Sequence, residues 1–172
     1  MKLKTRKKIT TILKIVATIF VVPLVFSSFF SGYTVLSEGP QTNTPVSISI
    51  FEFPSMKEFV PALAFVSIVL ETVLIIFMIF FGISQTMRKT QDALIGVMTA
   101  IFQMILAIMQ FVMMIIFCKT NTVLGLTYSI GVCPIMYFVC GLLFGGFMMA
   151  SYLVPTKKSS PKPAPAPNTS NS

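Results

Sequence analysis

The chain has 172 residues, of which 55% are hydrophobic and 10% charged, far from the charged fraction of about 25% usual in soluble domains. With a mean hydropathy of +0.87 it is expected in a bilayer rather than in water. Thirteen Lys and Arg against five Asp and Glu give a net charge of +8, and there is no histidine, which excludes histidine metal ligands and Ser-His or Cys-His nucleophilic sites.

Residues 1–11 form a basic N-terminus carrying Lys2, Lys4, Arg6, Lys7 and Lys8. The apolar run 12–30 follows, close to the roughly 20 residues that a helix needs to cross a hydrocarbon core. A basic start before an apolar run also describes a secretory signal. Here Phe26, Phe29 or Phe30 would occupy the −3 position for cuts after Ser28, Ser31 or Gly32, where a small residue is required. The run is therefore read as a retained span.

The connection 32–58 is the longest outside the spans. Tyr33-Thr-Val-Leu36 and Val46-Ser-Ile-Ser-Ile50 read as strands, the second alternating apolar and polar residues, with turn residues Glu38-Gly-Pro-Gln-Thr-Asn43 between them. A small external β-hairpin is expected, with an irregular flap on the membrane surface as the alternative. Ser55-Met-Lys-Glu58 has the spacing of a capping box at the start of the second span, 59–81, in which Pro61 is expected to introduce a kink.

Link 82–92 carries Arg88 and Lys89, the third span covers 93–118, link 119–129 is equally short, and the fourth span is 130–154. Short links make consecutive spans antiparallel neighbours. The expected fold is an all-α membrane protein, an antiparallel four-helix transmembrane bundle spanning 12–154. Residues 155–172 are rich in Pro and Ser, with nothing apolar enough to fold, and read as a disordered tail. Its prolines at 161, 163, 165 and 167 alternate by two and miss the PxxP spacing.

Lys2, Lys4, Arg6, Lys7, Lys8, Lys14, Arg88, Lys89, Lys157, Lys158 and Lys162 fall on one side of this layout, and only Lys57 and Lys119 on the other. Short basic loops stay in the cytoplasm, so both termini are expected there, in the plasma membrane or an endomembrane. The sequon Asn168-Thr-Ser170 would then lie on the side where sugar is not added. The positive charge reads as attraction to anionic lipid head groups, about 1 kcal/mol per juxtamembrane cation, and not as nucleic-acid binding.

Little enzymatic chemistry can be assembled from what remains. Asp92 is the sole aspartate and lies at a membrane edge, Cys133 and Cys140 are too far apart for a C-x-x-C motif, and no Gly-rich phosphate loop occurs. No enzyme activity, cofactor or metal is expected. Cys118 and Cys133 close the third span and open the fourth on one side, so a disulfide between them is compatible with the layout in an oxidising compartment, as are free thiols.

The chemically distinctive residues lie inside the spans. Glu71 sits near the middle of Val66-Ser-Ile-Val-Leu-Glu-Thr-Val-Leu-Ile-Ile76, with Ser67 and Ala64 on its helix face. In the third span Gly96, Ala100, Gln103, Ala107 and Gln110 form a stripe of small and polar residues, the kind that faces protein rather than lipid. Gln103 and Gln110 bracket the depth of Glu71, so the three are expected to meet.

A lone carboxylate in hydrocarbon is strongly disfavoured as an anion. One reading is a neutral acid bonded to a glutamine amide, worth about 0.6–2 kcal/mol between membrane helices. The other is a proton-carrying or cation-binding group in a transport path. In the fourth span Gly141 with Gly145, and Gly146 with Ala150, are small-residue pairs suited to packing within the bundle or to self-association. Met109, Met113 and Met114 are expected to fill packing gaps.

Four spans, cytoplasmic termini, a longer first outer connection with strands and a short basic inner link together resemble claudin-like and MARVEL-like membrane organisers. The resemblance is one of layout: connection 32–58 contains neither the tryptophan nor the cysteine pair of the claudin loop. It implies a non-enzymatic protein that organises other membrane proteins, membrane domains or trafficking. The alternative is a small proton, cation or solute transport or channel subunit using Glu71.

Overall fold

The computed structural model describes residues 3–37, 45–55, 59–88, 93–122 and 126–154, and the side chains of residues 3, 4, 86 and 88 lie outside that description. So do the 38–43 turn, Glu58 of the capping box and the 155–172 tail.

Long apolar runs become helices because a bilayer offers backbone groups no hydrogen-bond partners, and only a helix satisfies them within one segment. Four such stretches are long and apolar enough to cross a membrane: Thr5–Ser27, Phe59–Gln85, Ala93–Asn121 and Val132–Leu153. The first is built of two helices, α1 (Leu3–Ile19) and α2 (Val21–Ser27). Pro23 explains the break, since it has no N–H for the Ile19 carbonyl and its ring crowds that carbonyl. At the junction Phe20 N–H instead bonds Ala17 O, three residues back, at 3.0 Å.

The span therefore begins and ends earlier than the expected 12–30. Residues 3–11 of the basic start are already helical, and 28–30 form tightened turns in which Phe30 N–H reaches Ser27 O at 2.9 Å.

Helix α3 (Phe59–Arg88) continues through residues 82–88, which sequence reading assigned to a link. Pro61 lies in its first turn, where its missing N–H has no helical carbonyl to reach; it starts the helix instead of kinking it. Helix α4 (Ala93–Asn121) ends in polar residues that take up its last carbonyls, Asn121 Nδ2 donating to Phe117 O at 3.0 Å and the Thr122 hydroxyl to Cys118 O at 2.7 Å. Helix α5 (Val132–Leu153) follows.

At the end of the bundle opposite Leu3 and Val154, the chain is not helical. Strands β1 (Ser31–Ser37), β2 (Val46–Ser49) and β3 (Leu126–Ile130) form an antiparallel sheet in the order β2-β1-β3. Val35 pairs with Val46 on one side and Tyr128 on the other, and Tyr33 lies between Ile48 and Ile130, with a bulge between Ser31 and Tyr33.

The expected hairpin is thus present as β1 and β2 beside a mainly helical bundle, and a third strand joins it from the short connection before α5. After β2 a 3₁₀ helix (Ile50–Ser55) leads back toward α3, the Ser55 hydroxyl donating to Glu52 O at 2.6 Å. Tyr33 fastens the sheet to the bundle, its ring 5.8 Å from Phe53, 5.2 Å from Phe117 and 5.9 Å from Tyr128.

Helix α5 packs against α1 and α2 and against α4, while α3 packs on α4. Lys14 of α1 also reaches Gly82 O of α3 at 3.5 Å, so the spans close on one another as a bundle. Ile12, Ile19, Phe80, Phe102 and Ile105 are among many large apolar side chains left exposed, as lipid-facing positions of a membrane bundle should be.

Candidate functional site

Glu71 of α3 is fully buried, as are Gln103 and Gln110 of α4. The Gln103 amide donates twice, to Glu71 Oε1 at 3.0 Å and to the Gly141 carbonyl of α5 at 3.1 Å. That carbonyl can only accept, which fixes the amide with its nitrogen inward and uses both of its hydrogens. One side chain thus ties three helices together.

The small-residue pair on α5 forms the seat of this bridge. A Cβ at position 141 would overlap Glu71 Oε1 and crowd the Gln103 amide, and one at 145 would overlap Gln103 Oε1 and the Met104 side chain. Gly141 and Gly145 therefore face inward, and their surface is already occupied within the bundle. Gly146 has no heavy atom within 4 Å of where its Cβ would be, and Ala150 is only half-buried. The second small-residue pair lies on a different and more open face.

Gln110 does not reach Glu71. It lies seven residues beyond Gln103, about 10 Å along the helix, and its amide donates to Pro134 O at 3.1 Å. Pro134 is itself seven residues before Gly141, so the two glutamines meet two carbonyls of antiparallel α5 in the same register. Ser67 is buried on the Glu71 face, but its hydroxyl bonds back to Leu63 O at 3.0 Å. The structure thus brings together Glu71 and Gln103, but not Gln110 or Ser67.

Sequence reading missed a second polar tie. The Tyr137 hydroxyl lies 3.3 Å from Thr72 Oγ1 and 3.1 Å from Ser28 Oγ, within hydrogen-bonding distance of both. It links α5 to α3 and to the turn after α2. Its signal was present: Thr72 follows Glu71, and Tyr137 precedes Gly141 by one helical turn.

Cys118, Cys133 and Cys140 are all free and buried. The Ser27 hydroxyl, buried at the end of α2, donates to Leu24 O at 2.7 Å.

Glu71 Oε2, Gln103 Oε1 and Gln110 Oε1 have no hydrogen-bond partner among the described residues. The Lys14 amine does not compensate the acid, because it contacts the backbone of Gly82, eleven residues and about 16 Å farther along α3. Among the described residues no group of His, Cys, Asp and Glu could hold a metal ion. The arrangement is suited to tying helices together, with one carboxyl oxygen left over. No family model, curated protein or solved structure matches the chain.

Proposed function

We propose that this multi-pass membrane protein is non-enzymatic and organises other membrane proteins, membrane domains or trafficking through its outer surfaces. The observation that carries this reading is the Gln103 bridge from Glu71 to Gly141. It commits the intramembrane acid and the inward-facing glycines Gly141 and Gly145 to holding the bundle together. The surfaces left for partners are the sheet and the outward helix faces, including the open side of Gly146.

The layout shared with claudin-like and MARVEL-like organisers points the same way, as does a sheet joining both outer connections. In this proposal both termini are cytoplasmic, in the plasma membrane or an endomembrane. Mild-detergent purification after crosslinking in intact membranes tests the function. A stoichiometric membrane partner or a defined self-assembly is expected, whereas a monomer without partners would count against it.

A second reading rests on Glu71 Oε2, a buried oxygen without a partner among the described residues, as a carrier of protons or cations should have at some stage of its cycle. Flux measured in liposomes separates the two. Proton-dependent flux lost in a folded Glu71→Gln variant would replace the organising role with a transport one.

A further inference from the structure

Near the end of the bundle that carries Leu3 and Val154, the first span and α3 border a cleft of about 290 Å³ whose lining includes Ile15, Ile79, Ile83 and Met148. Its sides come from α1 and α3 and Met148 of α5 also lines it, while the exposed Ile15 and Ile83 show that it opens outward. A helix about 10 Å across would fill such a volume in less than one turn. The cleft therefore suits a narrow apolar chain, not a partner helix.

Lys14 also lines this cleft and is half-buried in it. Its ammonium has three donors, yet its contacts are a long 3.5 Å bond to Gly82 O and the Tyr152 ring 5.1 Å away. The acids among the described residues are Glu52, beside the sheet, and Glu71, in mid-bundle. Among the described residues no acid reaches this cation, so the cleft suits an anion supplied from outside.

Its level in the membrane indicates which one. Tyr152 is the penultimate residue of α5, and side chains on α1 lean back toward its N-terminus. The charge therefore lies where the spans leave the hydrocarbon, at head-group depth. Basic pockets between spans at that depth suit anionic lipid head groups.

We infer that this cleft is a binding site for one anionic phospholipid of the leaflet on the termini side. Its phosphate sits on Lys14, and part of an acyl chain lies against Ile15, Ile79, Ile83 and Met148. This site is distinct from the diffuse attraction of the basic N-terminus for the membrane surface. It rests on the chain crossing a bilayer, not on the organising role.

The test uses the full chain in phosphatidylcholine nanodiscs containing a phosphatidylglycerol with a photoreactive acyl chain, with crosslinks mapped by mass spectrometry. Labelling should concentrate on the α1 and α3 residues of the cleft. Unlabelled phosphatidylglycerol should compete better than phosphatidylcholine, and free glycerol phosphate should not compete. Lys14→Ala should reduce the preference for the anionic lipid about fivefold, Lys14→Arg should retain it, and Lys8→Ala, at an exposed position, should leave it unchanged.

A Cβ at Gly82 would meet Met148 and Lys14 at ordinary contact distance, 3.7 and 3.8 Å. Gly82→Leu should therefore fill the cleft and suppress labelling there by either lipid, which provides a second readout should Lys14→Ala fail to fold. Labelling spread evenly over the lipid-facing helices, an unchanged preference in Lys14→Ala, an equal loss in Lys8→Ala, or competition by glycerol phosphate would each overturn the site.

Discussion

Glu71 and the glycine facing it allow opposite substitutions to be compared at single residues. Glu71→Gln keeps an acceptor for the Gln103 amide at similar volume, so bundle stability should be nearly unchanged. Glu71→Leu leaves that donor without its acceptor and should cost about 1 kcal/mol, read from unfolding in a denaturing detergent titration. Gly141→Ala forces a methyl into the space of Glu71 Oε1 and should cost about 1–3 kcal/mol through overpacking. Gly146→Ala meets nothing within 4 Å and should be neutral by the same assay. Equal losses at the two glycines would show that Gly141 is not the seat of the bridge. Combining Gly141→Ala with Glu71→Ala should recover part of the loss, because neighbouring sites are coupled.

At the scale of elements, the sheet depends on Tyr33, which is buried among Phe53, Phe117 and Tyr128. Tyr33→Ala should cost about 3 kcal/mol, the low end for losing a buried aromatic ring. The loss should be local, with faster amide exchange in β1, β2 and β3 and little change in mid-span α4 and α5. Uniformly faster exchange would instead make the sheet part of one cooperative unit with the helices. The signal for β3 was legible, since Leu126, Tyr128 and Ile130 alternate with Thr127 and Ser129. What hid it was the shortness of the link and the distance of its partner, β1, which lies far earlier in the chain, as the register pairs Tyr33 with Ile130 and Ser37 with Leu126 show. Pro23 was an equally local signal for the break in the first span, and its effect follows from one missing N–H.

For the whole molecule, the proposal that both termini are cytoplasmic rests on an even number of spans and on the distribution of Lys and Arg. Epitope tags at either terminus should be reachable by antibody only after permeabilisation. Staining of intact cells at either tag, or sugar on Asn168, would reverse that orientation. Helix α5 touches both the first span and α4, and its Gly141 carbonyl takes part in the Gln103 bridge. Changes on its inward face should therefore reach further than changes on the outer face of α3.

The sequence by itself determined four segments long and apolar enough to span a membrane and an acid within one of them opposite a polar stripe. These follow from length, hydropathy and helical period, properties of each segment taken alone. It also placed Gln103 on the face that meets Glu71. Only the tertiary structure decided that Gln110 bonds Pro134 instead, that Gly141 and Gly145 seat the bridge, and that β3 completes a sheet. Each of these depends on the rotation and axial register of one helix or strand against another. The hydrophobic pattern leaves both quantities open in lipid, because an apolar side chain is as well solvated by acyl tails as by a neighbouring helix; close packing and buried hydrogen bonds then choose among the arrangements.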